Sequence, residues 1–155
     1  MAETGPHLIE MDAWISCAPF ERLLGMTIVE AADGRALLTM PFHRDLAQGA
    51  GLMHGGALVS LADTAVVMAI KSLLAPATHF ATIAMESRFL YPVTQGVVIA
   101  RAEIFEREGR LLRGRATVTN AEQRAVLEFS STFKIARDSV IRGAPFKDPA
   151  PGPAA

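Results

Sequence analysis

Residues 48–63 contain most of the groups that could carry out chemistry in this chain of 155 residues. Asp63 is the most unusual of them. On a helix, its neighbours three and four positions away include no cation: Val59, Ser60, Val66 and Val67. A carboxylate in that setting needs a partner outside its own helix or has a raised pKa, and such carboxylates are enriched at catalytic sites. Asp63 is therefore a candidate catalytic residue, unless it pairs with a strand arginine or lies on an exposed helix stripe.

The backbone at His54, Gly55 and Gly56 forms the second group, where a helix is predicted to begin. The first N–H groups of a helix have no partner within it, and the helix dipole adds partial positive charge there. Glycine leaves these groups unobstructed, so Gly55 and Gly56 could bind the negative charge that develops on a carbonyl oxygen during acyl transfer. The alternative is that both glycines only allow the chain to bend.

The spacing of the two groups limits how they could act together. Asp63 follows His54 by nine residues, which is roughly 13.5 Å along a helix and on its opposite face. One helix therefore cannot bring both groups to one small substrate. If they act together, two helices must run past each other in a symmetric dimer, each serving both sites. A hydrophobic content of 50% and a mean hydropathy of +0.27 also favour an oligomer.

One long helix and a set of strands must position these groups. Residues 54–74 are apolar nearly all round and predict a helix of about 20 residues, surrounded by the rest of the domain and closed by Pro76. Polar–apolar alternation between turn signals predicts strands on both sides of it. The predicted strands are 26–31, 35–41, 82–91, 97–108, 111–119 and 125–135. The fold class is therefore α+β, an antiparallel sheet wrapped around one long central helix.

The chain length corresponds to one domain. Residues 1–13 are predicted to be a flexible arm and residues 14–140 the domain. Residues 141–155, rich in Pro, Gly and Ala, predict a disordered tail. Residues 14–24 carry apolar side chains at helical spacing, interrupted by Pro19, and predict a short helix or a helix–turn.

Charge and composition exclude several classes of function. The net charge is −1 and the basic residues form no run, so neither nucleic acid nor a membrane surface is an expected partner. Cys17 is the only cysteine and predicts a part-buried thiol. The histidines are scattered without the spacing of a zinc site, so no metal is expected. The N-terminus lacks the pattern of a signal peptide, which predicts a cytoplasmic protein.

Residues 52–75 are apolar and about long enough to cross a bilayer. They nevertheless contain His54, Asp63 and Lys71, and charged residues are costly inside a membrane. A buried helix is the better interpretation.

Taken together, the motif resembles the signature of hotdog-fold acyl-CoA thioesterases of the phenylacetate-degradation type. The pattern reads Gln48-x-x-Gly51-x-x-His54-Gly55-Gly56-x4-Leu61-x-Asp63-x-Ala65. The similarity extends over residues 20–135 and includes Leu24-Gly25-Met26, Gly34-Arg35-Ala36 and Arg88-Phe89-Leu90-Tyr91-Pro92-Val93. The resemblance implies the hotdog fold and hydrolysis of acyl-CoA thioesters.

The resemblance also implies a role for each catalytic candidate. Asp63 is similar to the family's catalytic carboxylate, a general base or a nucleophile. Gly55 would donate its N–H to the thioester oxygen. His54 would shape the turn and hold the thioester. Gln48, where many relatives carry Asn, would polarise the carbonyl or orient the water.

Three further residues are expected to contact the substrate. Gly56 belongs to the same helix start, and Thr82 is near the position where some relatives use a hydroxyl to position water. Arg88 is one of four arginines available for the CoA phosphates. The others are Arg110, Arg113 and Arg115. No cofactor is expected, because a thioester is already activated. The expected partners are an acyl-CoA, aromatic or medium-chain, and copies of the chain in a homodimer or a homotetramer of paired dimers.

Two alternatives remain open from the sequence. One is a hydratase or dehydratase on the same fold, in which a histidine pairs with a carboxylate; its activity would consume an enoyl group rather than release a thiol. The other is a non-catalytic acyl-CoA-binding domain, although such modules commonly carry an added effector segment.

Overall fold

The computed structural model describes residues 3–138 and 143–147. The first two residues of the predicted arm, and all of the predicted tail 141–155 except residues 143–147, lie outside the described residues. The elements are α1 (Pro19–Leu24), β1 (Thr27–Ala32), β2 (Arg35–Pro41), α2 (Gly55–Lys71), β3 (Phe80–Phe89), β4 (Val97–Glu108), β5 (Leu111–Thr119) and β6 (Ala125–Ile135).

The six strands form one antiparallel sheet in the order β1-β2-β4-β5-β6-β3. Strands β1 and β2 make a hairpin across Asp33 and Gly34, both at positive φ, and β4, β5 and β6 form a meander. The sheet curls around α2. The predicted α+β hotdog arrangement is therefore confirmed. Four of the strand predictions, 35–41, 97–108, 111–119 and 125–135, match the observed bounds.

The central helix is shorter than predicted. It covers 17 residues, begins after His54 and ends at Lys71. The Ser72 hydroxyl donates to the Ala69 carbonyl (2.6 Å) and accepts from the Gly34 N–H (2.9 Å). Ser72 therefore joins the helix end to the β1–β2 turn, and this contact ends the helix before Pro76.

One face of α2 packs closely on the sheet. Strand β5 alternates as predicted, with Gly114 and its apolar neighbours inward and Arg113 and Arg115 outward. A Cβ at Gly114 would lie 2.3 Å from Val66 Cγ1 on the helix. Only glycine allows this close approach of helix and strand.

The sheet does not surround α2 completely, which differs from the expectation. A stripe of half-buried residues runs along the helix: Ser60, Asp63, Val67 and Lys71. Edge strand β3 borders this stripe, and its Met85 and Phe89 side chains remain 48% and 58% exposed. The surface between α2 and β3 is therefore left partly uncovered, and we refer to it as the groove between α2 and β3.

The N-terminal helix begins at Pro19 rather than near residue 14, because proline is favoured in the first turn of a helix and disfavoured in its interior. Trp14 lies before the helix and packs at the end of α2. Its Nε1–H donates to the Lys71 carbonyl at 2.9 Å.

Within residues 3–138 and 143–147, no helix has both the length and the apolar character needed to cross a membrane.

Candidate functional site

The start of α2 is built around His54. Its backbone N–H donates to the Leu46 carbonyl (2.7 Å), and the preceding Met53 N–H donates to Val93 (3.0 Å). The loop before the helix is therefore held at both of these points. The His54 Nδ1 accepts from the Gly56 N–H at 2.8 Å, so the imidazole itself caps the helix. When neutral, the ring then carries its proton on Nε2.

This cap changes the expectation for the two glycines. The Gly56 N–H is used by His54 and is not free for a ligand. The Gly55 N–H has no acceptor among the residues that the structure describes. A Cβ at Gly55 would lie 3.0 Å from Phe89 Cε1, so an aromatic ring covers that residue. Gly55 is therefore the residue at the helix start whose N–H can bind a developing oxyanion.

Gln48 lies in the same cleft as Gly55. The cleft has a volume of about 340 Å³, and its lining residues are Gln48, Leu52, Met53, Gly55, Leu58, Phe89, Leu90, Tyr91, Pro92 and Val93. The Gln48 Oε1 accepts from the Ala50 N–H within its own turn. The side-chain NH₂ is the remaining donor that could reach a carbonyl in the cleft.

Asp63 has a hydroxyl rather than a cation as its partner. Thr82 Oγ1 donates to Asp63 Oδ1 at 3.3 Å, so the possible pairing with a strand arginine is wrong. Burial raises the pKa of the Asp63 carboxyl, the Thr82 hydrogen bond opposes that rise, and the charge of Glu21 adds to it. A half-buried carboxylate with a raised pKa is suited to take a proton from water.

Thr82 reaches Asp63 because of an irregularity in β3. The strand pairs with β6, and the register shifts between Thr82 and Ala84, which leaves Ile83 as an extra residue. Thr82 lies opposite the buried Phe133, on the helix-facing side of the sheet. Such bulges redirect side chains, and here the hydroxyl points at α2.

The oxyanion group and the carboxylate lie apart in one chain. Gly55 and Asp63 are eight residues apart on one helix, about 12 Å along its axis. Gly55 lines the cleft with Gln48, whereas Thr82 lines a different cavity. The structure thus brings together Gln48, His54, Gly55 and Gly56 at the start of α2, and Asp63 with Thr82 near its middle.

Arg88 lies outside both clusters. It points from the outer face of β3 and forms an ion pair with Glu128 at 3.9 Å. The outer face also contains a larger depression of about 560 Å³ that includes Arg35, Glu103 and Arg115. Both arginines form ion pairs with Glu103, so these three charged groups are already paired. The smaller clefts are the better candidates for the chemistry, because Gly55 lines one of them and Thr82, the partner of Asp63, lines the other.

Sequence reasoning missed Arg124 as a candidate CoA contact. Its guanidinium carbon lies 3.6 Å from the centroid of the Tyr91 ring, and Tyr91 lines the cleft that contains Gly55. No carboxylate within the described ranges pairs with Arg124. No local sequence pattern predicts this contact, because 33 residues separate Tyr91 from Arg124.

Within the described residues of one protomer, His54 does not make the histidine–carboxylate pair expected of a hydratase. His54 has no carboxylate within ion-pair distance among residues 3–138 and 143–147, and its Nδ1 is used by the cap. The described part of the chain also holds no group of three or more side chains able to bind a metal ion.

Several known proteins resemble this chain in sequence or in fold. A protein of Halobacterium salinarum, named as a candidate esterase, is 36% identical over 86 residues, which are 52% of this chain. The chain spans 56% of that relative's length. Among solved structures, a conserved protein of Pseudomonas aeruginosa is 26% identical with a TM-score of 0.75, covering 79% of this chain and 97% of that one.

A second solved relative is a single-residue variant of the phenylacetic acid degradation protein of Thermus thermophilus. It is 26% identical with a TM-score of 0.70, over 76% of this chain and 98% of that one. The sequence pattern of the Thioesterase superfamily matches residues 50–127, which is half of the chain and includes Gly55, Asp63 and Thr82. The chain therefore belongs to the Thioesterase superfamily.

Proposed function

We propose that this protein hydrolyses an acyl-CoA thioester, aromatic or medium-chain, to the free acid and CoA in the cytoplasm. The observation that carries the proposal is the Asp63–Thr82 pair, a half-buried carboxylate whose partner is a hydroxyl and which, among the described residues, has no cation as a partner. The free Gly55 N–H at the start of the same helix supplies the second requirement, a donor for the carbonyl oxygen. Gln48 and His54 support that end of the site.

The chemistry needs no cofactor. Asp63 takes a proton from water, and the hydroxide oxygen bonds to the thioester carbon. Negative charge moves to the carbonyl oxygen, where the Gly55 N–H and the helix dipole stabilise it. The C–S bond then breaks, and the proton held by Asp63 passes to the CoA thiolate. Asp63 could instead attack the carbonyl itself, with water cleaving the resulting anhydride.

The start and the middle of α2 can serve one substrate only if a second copy contributes. A thioester group cannot touch Gly55 and Asp63 of one chain, because about 12 Å of helix separates them. We therefore propose a homodimer, able to pair into a tetramer, in which Gly55 of one protomer faces Asp63 of its partner. The uncovered groove between α2 and β3 is the surface that such a partner would cover.

The direct test replaces Asp63 by Asn. Asn keeps the shape and the Thr82 contact but cannot take the proton, so thiol release from a panel of aromatic and aliphatic acyl-CoAs is expected to fall by about 10²–10⁴-fold. Asp33→Asn is the matched control, because Asp33 lies in a turn at positive φ, where Asn is well tolerated. Near-normal turnover by Asp63→Asn would overturn the proposal.

The same variant must remain folded for the test to count. Because the folded-state pKa of Asp63 is raised, its ionisation costs stability as the pH rises through that pKa. Asp63→Asn lacks this cost and is expected to melt no lower than the parent at pH 7, measured by thermal denaturation.

A further inference from the structure

A second cavity lies against the far end of α2, next to the Asp63–Thr82 pair. Its volume is about 320 Å³. The lining residues are Trp14, Val67, Lys71, Thr78, His79, Phe80, Ala81, Thr82 and Phe133. Most of the wall is apolar, with Phe80 and Phe133 packed ring to ring at 5.9 Å. Thr82 lines this cavity and also donates a hydrogen bond to Asp63, so the cavity lies next to the Asp63 carboxylate.

Lys71 supplies the positive charge in this wall. It is half-buried, and its Nζ lies 4.7 Å from the centroid of the Trp14 ring. To the part of the chain that the structure describes, Nζ donates one hydrogen bond, to the Trp14 carbonyl at 3.0 Å, which leaves two N–H donors. No carboxylate of the described residues lies within ion-pair distance. Burial lowers the pKa of the Lys71 amine, and the more distant Glu21 partly opposes that change.

The helix sets the distance between Lys71 and the reacting carbonyl. Asp63, Val67 and Lys71 follow one another at intervals of four residues, so they form one stripe along α2. Eight residues span about 12 Å of axis. Helix side chains lean toward the N-terminus, so the ammonium group approaches Asp63 more closely than its Cα does. This distance from Asp63 along Val67 to Lys71 is about the length of a medium-length acyl group.

We propose that this cavity binds the acyl group and that Lys71 recognises a carboxylate at its distal end. The preferred substrates are then ω-carboxyacyl-CoA thioesters, the monothioesters of dicarboxylic acids. This inference rests on the proposed thioesterase function and adds the substrate class. A half-buried ammonium with spare donors gains a charged hydrogen bond from such a carboxylate, whereas a methyl terminus gives it no such bond.

The test compares pairs of substrates that have equal carbon number: glutaryl- with pentanoyl-CoA, adipyl- with hexanoyl-CoA, and suberyl- with octanoyl-CoA. The measured quantity is the ratio of kcat/KM within each pair, by thiol release. Lys71→Met keeps the apolar stem against Trp14 and removes the charge. It is expected to lower the best ratio by about 10–100-fold, the effect of losing one charged hydrogen bond. Lys71→Arg is expected to retain most of the preference.

Lys134→Met is the matched control. Lys134 is exposed and follows the buried Phe133 on β6, so it lies on the opposite face of the sheet. A purely structural role for Lys71 predicts equal losses for both members of a pair. Ratios that Lys71→Met leaves equal to those of Lys134→Met would overturn the inference while leaving the thioesterase proposal intact.

Failure of the thioesterase proposal gives a different result, namely no thiol release from any acyl-CoA. The substrate preference is then read from equilibrium binding of adipyl- and hexanoyl-CoA to Asp63→Asn, with and without Lys71→Met. A binding ratio that Lys71→Met lowers supports the cavity assignment, and an unchanged ratio overturns it.

Discussion

At the scale of single residues, three influences of different sign act on the Asp63 carboxyl. Burial is the largest and raises its pKa, the hydrogen bond from Thr82 lowers it, and the negative charge of Glu21 raises it. Only the ionised carboxylate can accept a proton from water. Activity is therefore expected to rise with pH through the pKa of Asp63, which lies above the ordinary value of an aspartate.

Two substitutions are expected to move the midpoint of this rise in activity with pH in opposite directions. Thr82→Val removes the hydrogen bond that favours the charged form, so the acid limb of the kcat/KM profile is expected at higher pH. Glu21→Gln removes a repulsive charge, so the limb is expected at lower pH. Each profile is measured by thiol release from one acyl-CoA across the acidic range.

Controls separate these electrostatic effects from damage to the fold. Thr82→Ser keeps the hydroxyl and is expected to restore the parent midpoint. Glu122→Gln removes a charge from the exposed β5–β6 turn and is expected to leave the midpoint unchanged. A shift of both test variants in the same direction would contradict the assignment of the limb to Asp63.

At the scale of elements, the proposed oxyanion donor is a single backbone group at the start of α2, the Gly55 N–H. His54 has φ −61° and ψ 130°, the extended conformation that a residue before proline also adopts. Proline is well accepted at the first position of a helix, which Gly55 occupies. The chain therefore offers a way to delete the Gly55 N–H without preventing the helix from starting.

Gly55→Pro removes the proposed oxyanion donor, and turnover is expected to fall by about 10²–10³-fold. Gly55→Ala is the matched control, because it adds the same Cβ against Phe89 but keeps the N–H. The loss beyond that of Gly55→Ala, measured as kcat with thermal denaturation as the check on folding, reports the N–H alone. Equal activity of the two variants would show that the N–H takes no part in catalysis.

The elements differ in how far the sequence predicts them. Strand β5 and the apolar helix are visible as periodic patterns, because burial of one face leaves a local record in the chain. The Asp63–Thr82 contact leaves no such record in the sequence, because it depends on the register of β3 against β6 and on the bulge at Ile83. The Lys71–Trp14 contact joins residues 57 positions apart, so spacing along one helix cannot predict it.

At the scale of the whole molecule, β3 is an edge strand of the sheet with several exposed apolar side chains. It pairs with β6 on one side only, and its exposed apolar side chains include Ile83 (57%), Met85 (48%) and Phe89 (58%). Unprotected edge strands of this kind readily pair with another chain, and a two-fold axis would set β3 beside its own copy. The same contact would carry Asp63 of each helix toward the start of the other helix, where Gly55 lies.

A shared site predicts that two inactive variants restore each other. In a mixed dimer of Asp63→Asn and Gly55→Pro, one site combines the intact Gly55 of the first protomer with the intact Asp63 of the second, and the other site carries both defects. Random pairing makes half of the dimers mixed, each with one working site of two, so about a quarter of the parent activity is expected.

The two variants are unfolded together, refolded at equal concentration and assayed for thiol release, with each variant refolded alone as the control. Refolding the two variants together lets their protomers pair at random. If every site lay within one protomer, each mixed dimer would hold only defective sites, and the mixture would show the mean of the two separate activities. Recovery well above that mean can arise only when Gly55 and Asp63 of different chains meet at one substrate.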